Sequence, residues 1–202
     1  AELINIPFYD GRLITKNRID HFNAIDIPPG DGHISFCSLK QHPLNKAEFS
    51  KSKSKYNSFS RMSTIELILE IIKSGKNITS LGIITPYRQQ VIDYKKDLEK
   101  LGETKFEIRV GTIHTFQGSE CDVIIWDIVD TINNPVGALY KSDTGKRLVN
   151  VAISRAISKL VIVGDHRFFD ECDGRDMVSN EIKSIVANAW KLSHKKEFGL
   201  LK

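Results

Sequence analysis

Leu81-Gly82-Ile83-Ile84-Thr85-Pro86-Tyr87-Arg88-Gln89-Gln90 passes from strand to helix within ten residues. Leu81 to Ile84 is an apolar run of strand length. Thr85 stands where a side chain caps the next helix, and Pro86 takes the first helical position, where a missing N–H leaves nothing unsatisfied. The helix is expected to run to Leu101 and to stop at Gly102. A run apolar on both faces, feeding at once into a helix, belongs to a strand buried between two helical layers.

The same alternation extends outward in both directions. Ile34 to Leu39 reads as a strand, and Lys40 to Ser60 reads as a mobile insertion whose Lys51, Lys53 and Lys55 are most simply solvated, with a phosphate-binding patch as the alternative. A helix is expected from Ser63, where Ser63 and Glu66 form a capping box, to Gly75, burying Ile65, Ile68, Leu69 and Ile72. Strands come next at Phe106 to Val110 and Val123 to Val129, then a loop from Asn133 to Lys146, a helix from Leu148 to Ser158, a strand from Leu160 to Val163 and a last helix from Val178 to Leu192. The expected fold is α/β with a mainly parallel central sheet covered on both faces. Pro7, Gly11, Pro28, Pro29 and Gly30 break any period at the start, so residues 1–33 are expected to form an irregular arm packed on a core domain of residues 34–202. Ala1 opens without a methionine, as an excised piece of a longer polypeptide would, and a trimmed terminus explains it equally well.

With 202 residues, 41% of them hydrophobic, the chain is long enough to close one sizeable core. No apolar run reaches the roughly 18 to 20 residues that cross a bilayer, and no basic segment leads into an apolar stretch at the start. Membrane-embedded and secreted classes are therefore set aside, and an intracellular, cytoplasmic setting is expected. Cys37, Cys121 and Cys172 show no C-x-x-C spacing, so no zinc site or disulfide framework is signalled. The net charge of +4 is compatible with a polyanionic partner without identifying one.

Ligands of open parallel sheets gather beyond the strands' carboxyl ends, and three polar junctions stand out. They are Ile84 to Gln90, then Thr112-Ile113-His114-Thr115-Phe116-Gln117-Gly118-Ser119-Glu120, and Asn150-Val151-Ala152-Ile153-Ser154-Arg155-Ala156. In this order they resemble motifs IV, V and VI of superfamily 1 helicases of the RNA-surveillance and replication-associated branch. Phe8 to Leu13 is also similar to the segment that comes after motif III in that family. Ser154 stands where many relatives carry threonine, and a hydroxyl is kept.

The resemblance implies a three-layer, RecA-like (P-loop NTPase-like) fold, acting as the second motor domain of an ATP-dependent helicase. It implies that Arg88 and Arg155 are arginine fingers on a γ-phosphate, that Tyr87 stacks on adenine, and that Gln117, Gly118 and Glu120 bind the nucleotide. Thr112 and His114 are implied to touch the nucleic-acid backbone. The residues suit these roles. Arg88 is expected in a first helical turn and Arg155 in a short apolar helix beside Ala152 and Ala156, both free to reach into a cleft. Gly118 permits close backbone approach to a phosphate, and Glu120 accepts hydrogen bonds from a ribose hydroxyl.

No G-x-x-x-x-G-K-[ST] occurs: Gly75-Lys76 has Glu70 and Asn77 at the deciding places, and Gly145-Lys146 has Tyr140 and Arg147. ATP and Mg²⁺ are thus expected to bind only with an N-terminal RecA-like domain of the same polypeptide, which supplies the phosphate loop. Single-stranded DNA or RNA would lie across both domains, the resemblance implying 5′-to-3′ movement along it, and the isolated chain is expected to be monomeric and inactive. Asp127 and Asp130 are read as capping or solvated strand-end residues rather than magnesium ligands, and Glu181-Ile182-Lys183 lies in a helical pattern, unlike a nuclease strand. The rival reading is a non-enzymatic nucleic-acid-binding or protein-docking module of the same fold, against which the two arginines argue. A self-contained α/β nucleotide enzyme would need the phosphate loop that is missing.

Overall fold

Short runs rich in Val and Ile, apolar on both faces, pair most stably where helices cover them, and they set the architecture here. The computed structural model describes residues 2–12, 26–30, 32–39, 42–116, 118–132, 134–171 and 178–197. Its strands are β1 (Ile34–Ser38), β2 (Glu48–Phe49), β3 (Lys55–Tyr56), β4 (Ser80–Thr85), β5 (Glu107–Thr112), β6 (Cys121–Asp127), β7 (Ala156–Gly164) and β8 (His194–Glu197). Six of them form one sheet in the order β5-β4-β6-β7-β1-β8, and every pairing in it is parallel. β2 and β3 form a separate antiparallel hairpin.

Alternate residues of each strand enter two cores. On one face Ile83, Val123, Ile125, Val161 and Val163 pack against Leu67, Ile68 and Ile71 of α2 (Ser58–Ser74) and Tyr94 of α3 (Arg88–Leu101). On the other, Ile84, Ile124, Trp126 and Ile162 meet Val149 and Ala152 of α5 (Asp143–Ile153) and Ile182 and Ile185 of α7 (Asn180–Leu192). These are the three layers that the alternation of runs called for. The expected arm contains a helix, α1 (Glu2–Tyr9), whose Leu3 joins the second core and which packs on α7. Further along, the buried Lys159 ammonium donates to the carbonyls of Ile27 and Gly30.

Several local expectations are corrected. α2 begins at Ser58 rather than Ser63: its cap is Asn57, whose side chain accepts from the N–H groups of Phe59 and Ser60 and donates to Asn45 Oδ1 and the Val129 carbonyl. Ser63 and Glu66 lie within the helix. Thr85 caps nothing. It stays in β4, opposite Thr112, with a buried hydroxyl that has no hydrogen-bond partner among the described residues, and α3 starts only at Arg88. The expected loop up to Lys146 holds a short helix, α4 (Ala138–Lys141), and the start of α5, whose cap Ser142 accepts from the Gly145 N–H. The insertion expected to be mobile is pinned by a buried Lys55. Towards the far end, a short helix, α6 (Phe168–Glu171), and β8 were not expected from the sequence.

Between β5 and β6 the chain crosses over β4 through a 3₁₀ turn, Ile113–Phe116, and Phe116 lies on the sheet. A Cβ at Gly82 would come within 2.7 Å of the Phe116 ring, so this close approach requires glycine. The crossing places Thr112 and His114 at one end of the sheet and delivers Gly118 and Glu120 to the start of β6.

The location of the α2 cap is testable. Asn57→Ala should lower stability by about 2 kcal/mol in urea melts, through loss of the cap and exposure of unsatisfied buried partners. Ser63→Ala, at a buried hydroxyl that caps nothing, should cost less than about 1 kcal/mol. Equal effects would contradict the assignment.

Candidate functional site

At the carboxyl end of the sheet, two buried carboxylates organise the junctions after β4 and β6. Asp127 accepts hydrogen bonds from Gln90 Nε2 at 2.7 Å, the Tyr94 hydroxyl at 2.7 Å, Ser60 Oγ at 3.2 Å and the Val129 N–H at 3.1 Å. Burial pushes its pKa up against the opposing pull of those donors. Asp130 accepts from Lys55 Nζ at 2.7 Å, from the Tyr87 hydroxyl at 2.7 Å and from the Gly137 N–H at 2.8 Å. Its pKa too is raised by burial, with Lys55 as the main opposing charge. Both aspartates, read from sequence as capping or solvated strand ends, are thus buried and fully engaged.

Tyr87 is held by this cluster. Its phenol pKa is raised by burial and by the facing Asp130, and Lys55 Nζ sits 5.6 Å from its ring centroid. Arg88, next in sequence, is exposed at the first position of α3. Thr112 ends the neighbouring strand β5, and its carbonyl accepts from Thr115 Oγ1; His114 is exposed in the 3₁₀ turn.

The remaining residues lie at the opposite end. Gly118 has a left-handed φ of 85° with open space where a Cβ would stand, and Glu120, just before β6, is exposed. Arg155 sits in the turn between α5 and β7, outside the helix expected to hold it. Its Nε donates to the Val151 carbonyl, one terminal nitrogen donates to Ser154 Oγ, and the other lies 3.8 Å from Glu120 Oε1. The Cys121 N–H donates to the Arg155 carbonyl at 3.1 Å, which fixes the two segments side by side. Gln117 falls outside the described residues.

The structure therefore divides the expected site in two. Arg155, Glu120 and Gly118 share the amino end, while Tyr87, Arg88 and Thr112 share the carboxyl end. β4 spans six residues, or roughly 20 Å at about 3.3 Å per residue. Arg88 and Tyr87 stand just beyond the carboxyl end of β4, and Arg155 and Glu120 just before the amino ends of β7 and β6. Among the described residues, no cluster of three or more His, Cys, Asp or Glu side chains is arranged to hold a metal ion, and no helix is long and apolar enough to cross a membrane.

Lys55 was read from the sequence only as one of three surface lysines, Gln90 only as the end of the junction after β4, and Asn57 was not singled out. Gln90 Oε1 accepts the Asn57 N–H at 2.9 Å, and its amide donates back to the Asn57 carbonyl. A glutamine three residues after a strand-ending T-P-Y was the only available signal.

Residues 1–167 match the family described as an AAA domain. The chain is 33% identical over 190 residues to DNA polymerase alpha-associated DNA helicase A of Saccharomyces cerevisiae, which is 85% of this chain and 26% of that protein. It is 29% identical over 193 residues to regulator of nonsense transcripts 1 of Caenorhabditis elegans (91% and 17%), and 27% identical over 187 residues to an uncharacterized ATP-dependent helicase of Methanocaldococcus jannaschii (90% and 26%). The chain belongs to this family, as a superfamily 1 helicase domain. Its three-layer parallel sheet is accordingly RecA-like, and it spans only 17% to 26% of the length of these relatives.

In this helicase domain the Lys55–Asp130 pair has a predictable pH signature. Lys55→Met leaves a buried carboxylate without its counter-charge and should cost about 3 to 5 kcal/mol at pH 8. Asp130 already has a raised pKa, and loss of Lys55 raises it further; protonation on acidification then relieves the penalty, so the deficit should shrink toward pH 5. Urea melts at the two pH values measure this, and a deficit that grows with acid would refute it.

Proposed function

We propose that the chain is the second motor domain of an ATP-dependent superfamily 1 helicase, with its two ends given to different tasks. The amino end, with Arg155, Glu120 and Gly118, faces ATP–Mg²⁺ held by a first RecA-like domain of the same polypeptide. The carboxyl end, with Arg88, Thr112 and His114, carries single-stranded DNA or RNA. One observation supports this most directly: the backbone bond from Cys121 to Arg155 aligns the start of β6 with the turn before β7, so that one guanidinium, one carboxylate and one open glycine share a small surface.

The residues present suit that nucleotide. Arg155 is oriented by Val151 and Ser154 yet remains part-exposed, a posture that lets a planar guanidinium neutralise charge on a transferring phosphoryl group. Glu120 is free to accept from a ribose hydroxyl once Arg155 turns to phosphate. The phosphate loop, the metal ligands and the residue that orients water belong to the first domain in this reading. At the other end, Arg88 and the hydroxyl of Thr112 offer backbone contacts that position a strand without reading its sequence.

Two outcomes are expected. The purified 202-residue chain should hydrolyse no ATP with magnesium and single strands, and should bind single strands weakly with a steep salt dependence, as its net charge of +4 suggests. In the two-domain protein, Arg155→Lys should fold and bind ATP but lose roughly 10²-fold or more in kcat, while Arg88→Ala should weaken strand binding and leave kcat at saturating nucleic acid near wild type. A large kcat loss from Arg88→Ala, or near-normal turnover by Arg155→Lys, would overturn the division of tasks.

A further inference from the structure

The β2–β3 hairpin lies beside Arg88 yet has no part in the division of tasks between the two ends. Its strands are only two residues each, too short to hold by themselves, so its position must come from anchors. Two are evident. Lys55 reaches down to Asp130 and the Pro135 carbonyl, and Ser54 Oγ accepts the Gln89 N–H at 3.0 Å, which sets the hairpin against the first turn of α3. The turn itself is closed by the Lys53 N–H on the Ser50 carbonyl and the Ser54 N–H on Ser50 Oγ, with Lys53 in the left-handed region at φ 60°.

What this fixed hairpin presents outward is unusual for a surface loop. Phe49 is 53% exposed, with the Lys55 ammonium 5.6 Å from its ring centroid, so the buried cation backs the ring while much of it stays open to solvent. Lys51 and Lys53 are exposed at the tip. Glu48, the sole acidic residue between His42 and Asn57, is engaged by the Tyr56 hydroxyl. A half-open aromatic ring flanked by lysines, on a hairpin anchored to the first turn of α3, combines the two elements that hold single strands irrespective of sequence: a face for base stacking and cations for phosphates.

We infer that this hairpin is a further single-strand contact, Phe49 stacking on a base while Lys51 and Lys53 take neighbouring phosphates. The inference rests on the assignment of the carboxyl end to nucleic acid, because Arg88 and the hairpin would then lie on one continuous track. An acidic peptide would use the lysines but gain nothing specific from the ring.

The test is fluorescence anisotropy of the chain with fluorescein-labelled oligothymidylate and oligouridylate across a salt series, with thermal melts to confirm folding. Phe49→Ala and Phe49→Leu should each weaken binding roughly tenfold without altering the salt slope, and Phe49→Trp should restore it, as stacking but not mere packing requires. The Lys51→Ala, Lys53→Ala double variant should reduce the slope of log K against log salt by about 1.4, that is about 0.7 per phosphate contact. Wild-type behaviour of all hairpin variants, alongside weakened binding by a Thr112→Ala, His114→Ala double variant, would overturn the hairpin inference and leave the carboxyl-end reading standing. Weakened hairpin variants beside an unaffected Thr112, His114 variant would support the hairpin and remove Thr112 and His114 from the path of the strand. No binding by wild type would overturn both.

Discussion

Central strand β6 is paired on both sides and buried at every position but Asp122, and its two ends set the two candidate surfaces. Where it begins, its first N–H bonds to the Arg155 carbonyl, and Glu120 comes beside the Arg155 guanidinium. Where it ends, Asp127 and, three residues on, Asp130 collect donors from α2, α3 and the hairpin. A shift in the β6–β7 register would separate Glu120 from Arg155 and at the same time reverse which side chains enter each core.

The carboxyl end carries a concentration of buried polarity that hydrophobic packing alone does not explain. Asp127 and Asp130 give up solvation, which their raised pKa values record, and what offsets this is a full set of donors. Such a cluster is worth less as net stability than as geometry. The side-chain donors arrive from three elements, so the start of α2, the start of α3 and the hairpin hold fixed positions relative to the end of β6. A surface that is to receive a flexible strand gains from such support, because the protein side is already ordered before binding.

Much of the fold was legible in the sequence, and the failures have physical causes. Apolar runs such as Ile83-Ile84 and Val123 to Trp126 announced buried parallel strands, and Gly75 and Gly102 ended their helices as expected. The start of α2 was misplaced because Ser63 with Glu66 has the right spacing for a capping box, while nothing local tells that Asn57 is the residue drawn into a buried network. Lys55 looked like its exposed neighbours Lys51 and Lys53, and its partner Asp130 is 75 residues away. The family motifs were readable, but all three junctions were read as lying beyond the strands' carboxyl ends. Arg88 comes after its strand and Arg155 precedes its own, and only the parallel register turns that difference into roughly 20 Å.

The central claim is that nucleotide and nucleic acid occupy opposite ends of this sheet. Photo-crosslinking in the two-domain protein, with an azido-adenine nucleotide and a thiothymidine-substituted single strand in parallel, then peptide mass spectrometry, tests it most directly. The account predicts that the nucleotide labels peptides containing residues 118–120 or 155 and that the strand labels peptides containing residues 87–89 or 112–114. Strand labelling at residues 118–120 and 155, or nucleotide labelling confined to residues 87–89, would contradict it.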